Sequence, residues 1–292
     1  MKIVNFGSLN IDYVYRVDRF LFPGETRPSK SRKVHAGGKG LNQSIALARA
    51  GAQVHHAGII GVGDSELLLE ILESSGVIIE YLVNLNEPGG HTIIQVDDSG
   101  QNTILLYGGT NRSLTKDYID DVLQHFTRDD IVLLQNEINL VEYIIDKAFE
   151  HGIRVAFNAA PIDINVKSFP LEKLSWLIVN EIEGSELTGM EKPEDILNCL
   201  RSKYPSTAIL LTLGEQGCRY LHENCDLSVP ALSVSQIVDT TGAGDTFTGY
   251  FLHNVTKGIN EKRALEIASA ASALAIQKNG AAESIPWANE LV

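Results

Sequence analysis

The run Val238-Asp239-Thr240-Thr241-Gly242-Ala243-Gly244-Asp245-Thr246-Phe247 holds the residues best suited to chemistry. Two glycines flank an alanine, and an aspartate follows. Small residues let a backbone turn sharply and let a ligand approach it closely. Upstream, Leu232 to Val238 reads as a short strand; downstream, Thr246 to Val255 reads as a helix with Phe247, Tyr250 and Phe251 at helical spacing. The first amides of a helix have no partner inside it, so this turn could hold an anion such as a transferring phosphate. Asp245 would then stand as a base, and a helix N-terminus favours its ionised form. The same residues also fit a plain helix entered through a glycine turn, with Asp245 only a dipole partner. The run is no dinucleotide fingerprint, because Gly242-x-Gly244 lacks the third glycine. It is no P-loop, because no Gly-Lys-Ser/Thr follows.

Further polar residues follow strand-like segments. Asn10 and Asp12 lie two apart, so on an extended chain they point to the same side and could bind sugar hydroxyls. A turn-capping Asn and a solvated Asp fit them equally. In Gly37-Gly38-Lys39-Gly40-Leu41-Asn42-Gln43, glycines open a helix that runs from about Leu41 to Ala50 and stops at Gly51. Lys39 could touch a hydroxyl or phosphate, and Asn42 faces inward from the first turn. Glu137 follows strand Ile131–Leu134, and Asn180 and Glu183 follow strand Ser175–Val179. Asn180-x-x-Glu183 spans one helical turn, so both side chains could face a metal–phosphate cluster. An N-cap with its capping glutamate fits them as well. Leu213-Gly214-Glu215-Gln216-Gly217 adds a third glycine loop after strand Ala208–Thr212.

These residues must be positioned by a particular layout. From Leu114 onward, strands and helices alternate: Ile131–Leu134, helix Leu140–His151, Arg154–Asn158, Ser175–Val179. Such alternation implies a parallel sheet covered by helices on both faces, with sites at the carboxyl ends of the strands. Lys2 to Phe6 reads as a first buried strand, Gln53 to Ile60 as another, and Glu261 to Gln277 as an Ala-rich, tightly packed helix. His55 and His56 are adjacent on a strand and so face opposite ways; neither reads as a metal ligand. Tyr13 to Phe20 alternates apolar and polar residues, and Thr92–Val96 and Thr103–Tyr107 form a hairpin around Asp97-Asp98-Ser99-Gly100. These break the rhythm and predict a small separate lid sheet, built from segments about 12–34 and 90–108, hinged at Gly89-Gly90 and Gly108-Gly109. The expectation is one α/β domain over residues 1–292 carrying that lid.

The formal net charge of −13 argues against nucleic-acid or anionic-membrane partners. Hydrophobic residues make up 44 % of the 292, enough for a full core. Cys199, Cys218 and Cys225 form no C-x-x-C pair, which suits a reduced cytoplasm. No signal peptide and no apolar run near the roughly 20 residues of a membrane span is expected.

Taken together, these motifs resemble the ribokinase-like (PfkB-type) carbohydrate kinases, the ribokinase branch most of all. The likeness runs along nearly the whole chain: Gly7-Ser8-Leu9-Asn10-Ile11-Asp12, Gly37–Gln43, Asn158-Ala159-Ala160-Pro161, Asn180-Glu181-Ile182-Glu183, Thr212–Gly217 and Asp239–Phe247. The resemblance implies a three-layer α/β/α sandwich with a β-lid. It also implies transfer of the γ-phosphoryl group of ATP to a primary hydroxyl of ribose or a related pentose. Asp245 would be the base, with Gly242, Ala243 and Gly244 supplying anion-hole amides. Asn10, Asp12, Gly38, Lys39, Gly40, Asn42 and Glu137 would hold the sugar. Asn180, Thr212, Gly214, Gly217, Gly244 and Ser269 would line the nucleotide. Glu183 would act on Mg²⁺ through water, since Mg²⁺ keeps several waters. A monovalent cation, K⁺, would map to Asp239, Thr241, Ala275, Lys278, Gly280 and Ser284, mostly through backbone carbonyls. Edge strands in the lid make a homodimer the expected assembly.

Three departures bear on the choice of sugar. Gly63-Asp64-Ser65 replaces the family's Gly-Asp-Asp turn, Asn158-Ala159-Ala160-Pro161 replaces Asn-Pro-Ala-Pro, and Ser29 to Lys33 is basic for a lid. Arg27, Lys30, Arg32 and Lys33 keep a phosphate-bearing acceptor open. Alternatives are a kinase of another sugar, a sugar phosphate or a nucleoside, or a non-catalytic sugar- or nucleotide-binding protein on the same fold.

Overall fold

A computed structural model of the chain describes residues 1–63 and 65–291. Asp64, in the middle of the Gly63-Asp64-Ser65 turn, lies outside the described residues. The first half runs β1 (Ile3–Phe6), β2 (Asn10–Arg16), β3 (Ser31–Gly37), α1 (Lys39–Ala50), β4 (Val54–Val62), α2 (Ser65–Ser74), β5 (Ile78–Pro88), β6 (Gly90–Val96), β7 (Asn102–Tyr107) and α3 (Lys116–Leu123). The second half runs β8 (Ile131–Gln135), α4 (Val141–Glu150), β9 (Arg154–Asn158), β10 (Trp176–Asn180), α5 (Glu181–Thr188), α6 (Pro193–Lys203), β11 (Ala208–Thr212), β12 (Cys218–His222), β13 (Cys225–Val229), α7 (Ala243–Thr256) and α8 (Glu261–Ala275).

Strands covered on both faces read as unbroken apolar runs. Ile131-Val132-Leu133-Leu134 of β8 is completely buried. Successive residues of the central strands feed two cores. Ile3, Leu133, Ala156, Ile178 and Leu210 pack with α1, α2, α7 and α8; Val4, Val132, Val155, Leu177 and Ile209 pack with α3, α4, α5 and α6. The helices match this with apolar residues at i, i+3, i+4 and i+7, as Val141, Ile144, Ile145 and Ala148 do in α4. Three layers result, as the sequence implies.

The large sheet has the order β13-β12-β11-β10-β9-β8-β1-β4-β5, parallel from β5 to β11, with β12 and β13 antiparallel at the far edge. The chain builds outward from β1 to β4 and β5, then returns to build the other side from β8. The boundary between β1 and β8 is therefore a topological switch point, where a crevice opens above the strand ends. A second sheet, β3-β2-β6-β7, forms the lid.

Several expectations shift. The strand expected over Tyr13–Phe20 is Asn10–Arg16, which places Asn10 and Asp12 on the lid itself. Strand β3, rich in basic residues, completes the lid alongside β2. Leu232 to Val238 is not a strand. Pro230 ends β13 without an N–H to continue the ladder, and Leu232, Ile237 and Val238 are left exposed. Helix α7 begins at Ala243, three residues before its expected start.

Candidate active site

The turn into α7 is open at the cleft. Gly242 caps the helix at φ 75° and ψ 1°, a left-handed conformation that glycine adopts without Cβ strain. The Ala243 N–H is already engaged, donating to Thr240 O at 3.2 Å. The amides of Gly242, Gly244 and Asp245 have no acceptor among the described residues, and a Cβ at Gly244 would meet nothing within 4 Å. An anion reaching this turn would meet unpaired N–H groups, with Ala243 contributing least.

Asp245 is buried beside this turn, 7 % exposed. Its Oδ2 accepts from Asn42 Nδ2 at 2.9 Å and its Oδ1 from Gln43 Nε2 at 2.8 Å. Gln43 Nε2 also donates to Asn158 Oδ1 at 2.9 Å, while Gln43 Oε1 accepts from Gln135 Nε2 at 2.7 Å. Gln135 Nε2 reaches Asn5 Oδ1 at 3.0 Å. This buried chain of amides ties β1, β8, β9 and α1 to one carboxylate, and fixes its orientation. Gln43 stands in the glycine-loop motif, yet spacing alone assigns it no partner. Its place in the first turn of α1, next to Asn42, is the only signal available beforehand.

The acceptor side rests on β2 and the loop ahead of α1. Asp12 Oδ1 accepts from Thr92 Oγ1 at 2.6 Å, and Asn10 Oδ1 accepts from Asn111 Nδ2 at 2.7 Å. Burial pushes the Asp12 carboxyl above the usual range, and the Thr92 hydroxyl only partly offsets it. Glu137 Oε2 accepts from the Ser8 hydroxyl and from the Lys39 N–H, the latter at 3.0 Å, bridging the switch point between β1 and β8. A Cβ on Gly40 would sit 2.3 Å from Ser8 N, so this approach requires glycine. Burial pushes the Lys39 ammonium down, but Asp245, Glu137 and Glu183 together outweigh it and hold the proton. Three carboxylates far apart in sequence thus act through their charge on one lysine. A chamber of about 410 Å³ opens beside Asn10, Asn111 and Glu137.

The remaining residues lie along the same sheet edge. Asn180 and Glu183 form a reciprocal cap: Glu183 N–H donates to Asn180 Oδ1 at 2.9 Å, and Glu183 Oε2 accepts from Asn180 N–H at 2.9 Å. Capping does not remove Glu183 from the site, because its charge acts on Lys39 and Asp245, and burial raises its pKa. Thr212 pairs with Asn180 in register. Gly214 and Gly217 bound the turn after it, and Ser269 on α8 lies against Cys218. Ser272 Oγ donates to Ala243 O at 2.9 Å, docking α8 on the α7 turn.

Behind the turn, Asp239 gathers two loops. Its Oδ1 accepts from the Thr241 N–H at 2.9 Å and hydroxyl at 2.6 Å, and its Oδ2 from the Gly280 N–H at 3.1 Å. Burial pushes Asp239 up, but these donors outweigh it and leave its pKa below the usual range. Lys278 N–H donates to Ala275 O, at the end of α8, at 3.0 Å, and Ser284 Oγ donates to Ala281 O at 2.9 Å in the loop that follows. The Lys278 ammonium turns away, to Glu290 at 2.8 Å.

Known proteins are similar to the chain over nearly its whole length. The family model described as pfkB family carbohydrate kinase matches residues 1–288. A ribokinase of Staphylococcus aureus (strain COL) is 34 % identical over 306 residues, covering 99 % of this chain and 98 % of the relative. A ribokinase of Bacillus subtilis (strain 168) is 32 % identical, covering 99 % and 98 %. The solved Arabidopsis thaliana ribokinase complexed with ribose and ATP superposes with a TM-score of 0.90 at 30 % identity, covering 99 % of this chain and 97 % of that one. Sequence and fold agree, and the chain belongs to the pfkB family of carbohydrate kinases.

Proposed function

We propose that this chain transfers the γ-phosphoryl group of ATP to the primary hydroxyl of ribose or a related pentose. The observation that carries this reading is the juxtaposition at the start of α7. Unpaired Gly244 and Asp245 amides stand beside a buried Asp245 carboxylate that Asn42 and Gln43 hold in place. The ribokinase relatives, one of them solved with ribose and ATP, support it.

Asp245 accepts the proton of the acceptor hydroxyl. The oxygen then bonds to the γ-phosphorus as the bridge to the β-phosphate breaks, and the electron pair leaves on ADP. Phosphoryl transfer depends on positioning and charge stabilisation, which the Lys39 ammonium and the free amides at Gly242, Gly244 and Asp245 provide. Asn10, Asp12, Asn42 and Glu137 orient the sugar, with Gly38 and Gly40 allowing close backbone approach. Asn180, Thr212, Gly214, Gly217 and Ser269 line the nucleotide.

The residues present fit both ions. Mg²⁺ would neutralise phosphate charge; both Glu183 oxygens already accept hydrogen bonds from Asn180, which suits water-mediated contact. Asp239, ionised and set between the two loops, would balance a K⁺ ion held by carbonyls of Thr241, Ala275, Lys278, Gly280 and Ser284.

Residues 1–292 act as one unit, with the lid closing over the acceptor. The lid edge β7 exposes Ile104, Leu105, Leu106 and Tyr107, an apolar strip that a second copy would cover in a homodimer. Three free cysteines suit a cytoplasmic setting, and among the described residues no helix is long and apolar enough to cross a membrane. Coupled ADP release, measured against pentoses, hexoses and nucleosides, tests the assignment. Turnover above the ATPase background is expected with ribose or a near relative. A panel that yields no turnover with any pentose ends this reading.

A further inference from the structure

Helix α8 holds a hydroxyl that the proposed chemistry does not use. A serine inside a helix often returns its hydroxyl to the carbonyl four residues back. Ser272 instead donates across to another helix, to Ala243 O at 2.9 Å. Four positions on, Ile276 O accepts from the Val238 and Asp239 N–H groups at 2.8 and 3.2 Å. Two groups one turn apart on α8 therefore grip the loop 238–243 at its two ends. The grip at Ile276 is a backbone carbonyl, which any residue would supply. The grip at Ala243 depends on one side chain. The helix comes this close because Ala268, Ala271 and Ala275 pack into the same core as Phe247 and Phe251 of α7.

Ala243 O belongs to the peptide whose other end is the Gly244 N–H, one of the unpaired amides at the cleft. A trans peptide is planar and its C=O and N–H point opposite ways, so fixing one fixes the other. No side-chain packing restrains this peptide at Gly244, where a Cβ would meet nothing within 4 Å. Glycine turns freely, and helix ends fray. A donor on the carbonyl also polarises the N–H of the same peptide and strengthens it as a donor.

We infer that Ser272 is a positioning residue for the anion hole, holding the Gly244 N–H toward the transferring phosphate. This rests on the kinase reading above. Docking α8 on α7 needs no hydroxyl, since the packing there is alanine against aromatic rings. The hydroxyl ends on the one carbonyl that sets a cleft-facing amide. Charge on the transferring group is best stabilised by donors already aimed at it, so the benefit falls on the chemical step. The sugar-side groups Asp12, Asn10 and Glu137 are held by Thr92, Asn111 and the Lys39 N–H, independently of Ser272.

The test compares the wild type with Ser272→Ala in the full chain. Alanine is the better helix former, so the fold is expected to hold, and a thermal melt checks it. With ribose and ATP, kcat is expected to fall about 3- to 10-fold while both KM values stay within about twofold. Affinity for ADP in the presence of ribose is then measured with and without aluminium fluoride, which stands in for the phosphoryl group in transfer. The variant is expected to lose the same factor in affinity for the fluoride complex and none for ADP alone. A kcat within about twofold of wild type overturns the assignment. An equal loss of affinity with and without fluoride also overturns it, because it marks a plain structural contact. A wild type that turns over no pentose defeats the kinase reading and this inference with it.

Discussion

Asp245→Asn is the perturbation on which the proposed chemistry turns. The substitution keeps the shape and removes the base. In the wild type both carboxylate oxygens accept from amide NH₂ groups, Asn42 Nδ2 at 2.9 Å and Gln43 Nε2 at 2.8 Å. An asparagine offers only one accepting oxygen, so one NH₂ would face another. Gln43 cannot turn, because its Oε1 is bonded to Gln135 and its Nε2 to Asn158 as well. Asn42 can: its Oδ1 is buried and has no partner, so a flipped amide would accept from the new NH₂. Without that flip the conflict costs about 1–3 kcal/mol; with it, far less. Loss of the base removes about 10²–10⁴ from the rate, or about 3–5 kcal/mol of barrier. The chemical effect therefore exceeds the structural one and falls on kcat. Coupled ADP release should show kcat down at least about 100-fold with the ribose KM within a few-fold, and a thermal melt should show the fold intact. A kcat within about threefold of wild type in the folded variant would refute Asp245 as the base.

Other expectations follow from single observations. Asp12→Ala, losing the group that accepts from Thr92, should raise the sugar KM about tenfold or more with a smaller change in kcat; unchanged affinity by titration calorimetry would clear Asp12 of sugar binding. Burial lowers His56, bonded to Ser44 Oγ at 2.8 Å, from 6.5 to about 4. The neutral ring is favoured in the fold, so its stabilisation is whole above pH 6.5 and is lost as pH falls toward 4, by up to about 3 kcal/mol. Denaturant melts at the two ends of that window should show the loss in wild type and a flatter response in His56→Gln; equal slopes would contradict it. Gly249→Ala would place a Cβ 2.4 Å from Ala46 Cβ and 2.8 Å from Leu47 N, so α1 and α7 must separate, at about 1–3 kcal/mol in melts. K⁺ should raise kcat over a bulky organic cation, and Asp239→Ala should abolish that difference; identical rates in both salts would exclude the cation site.

Some of this was readable from local pattern. Arg154–Asn158 and Ala208–Thr212 are the strands expected from the sequence, because a strand buried on both faces carries an unbroken apolar run, here Val155-Ala156-Phe157 and Ala208-Ile209-Leu210-Leu211. Helix α1 stops at Gly51 as read, with φ at 103°, a value that only glycine holds without strain. Strand β3 was not readable, since Ser31-Arg32-Lys33-Val34-His35 is polar and mostly exposed; it is a strand because β2 lies beside it. Leu232 to Val238 misled in the other direction. Its composition suits a strand, but Pro230 cuts it from the ladder and no strand among the described residues pairs with it.

By itself the sequence determined which residues could do chemistry and that strand ends would carry them, because glycine turns, helix starts and apolar periodicity are properties of a few consecutive residues. Only the tertiary structure decided their partners: Gln43 and Asn42 on Asp245, the Ser8–Glu137 bridge across the switch point, Asp239 on Gly280, and Ser272 on Ala243. Those contacts join residues up to 203 positions apart, and no spacing along the chain encodes them. They exist because two cores and a nine-stranded sheet bring the strand ends to one edge.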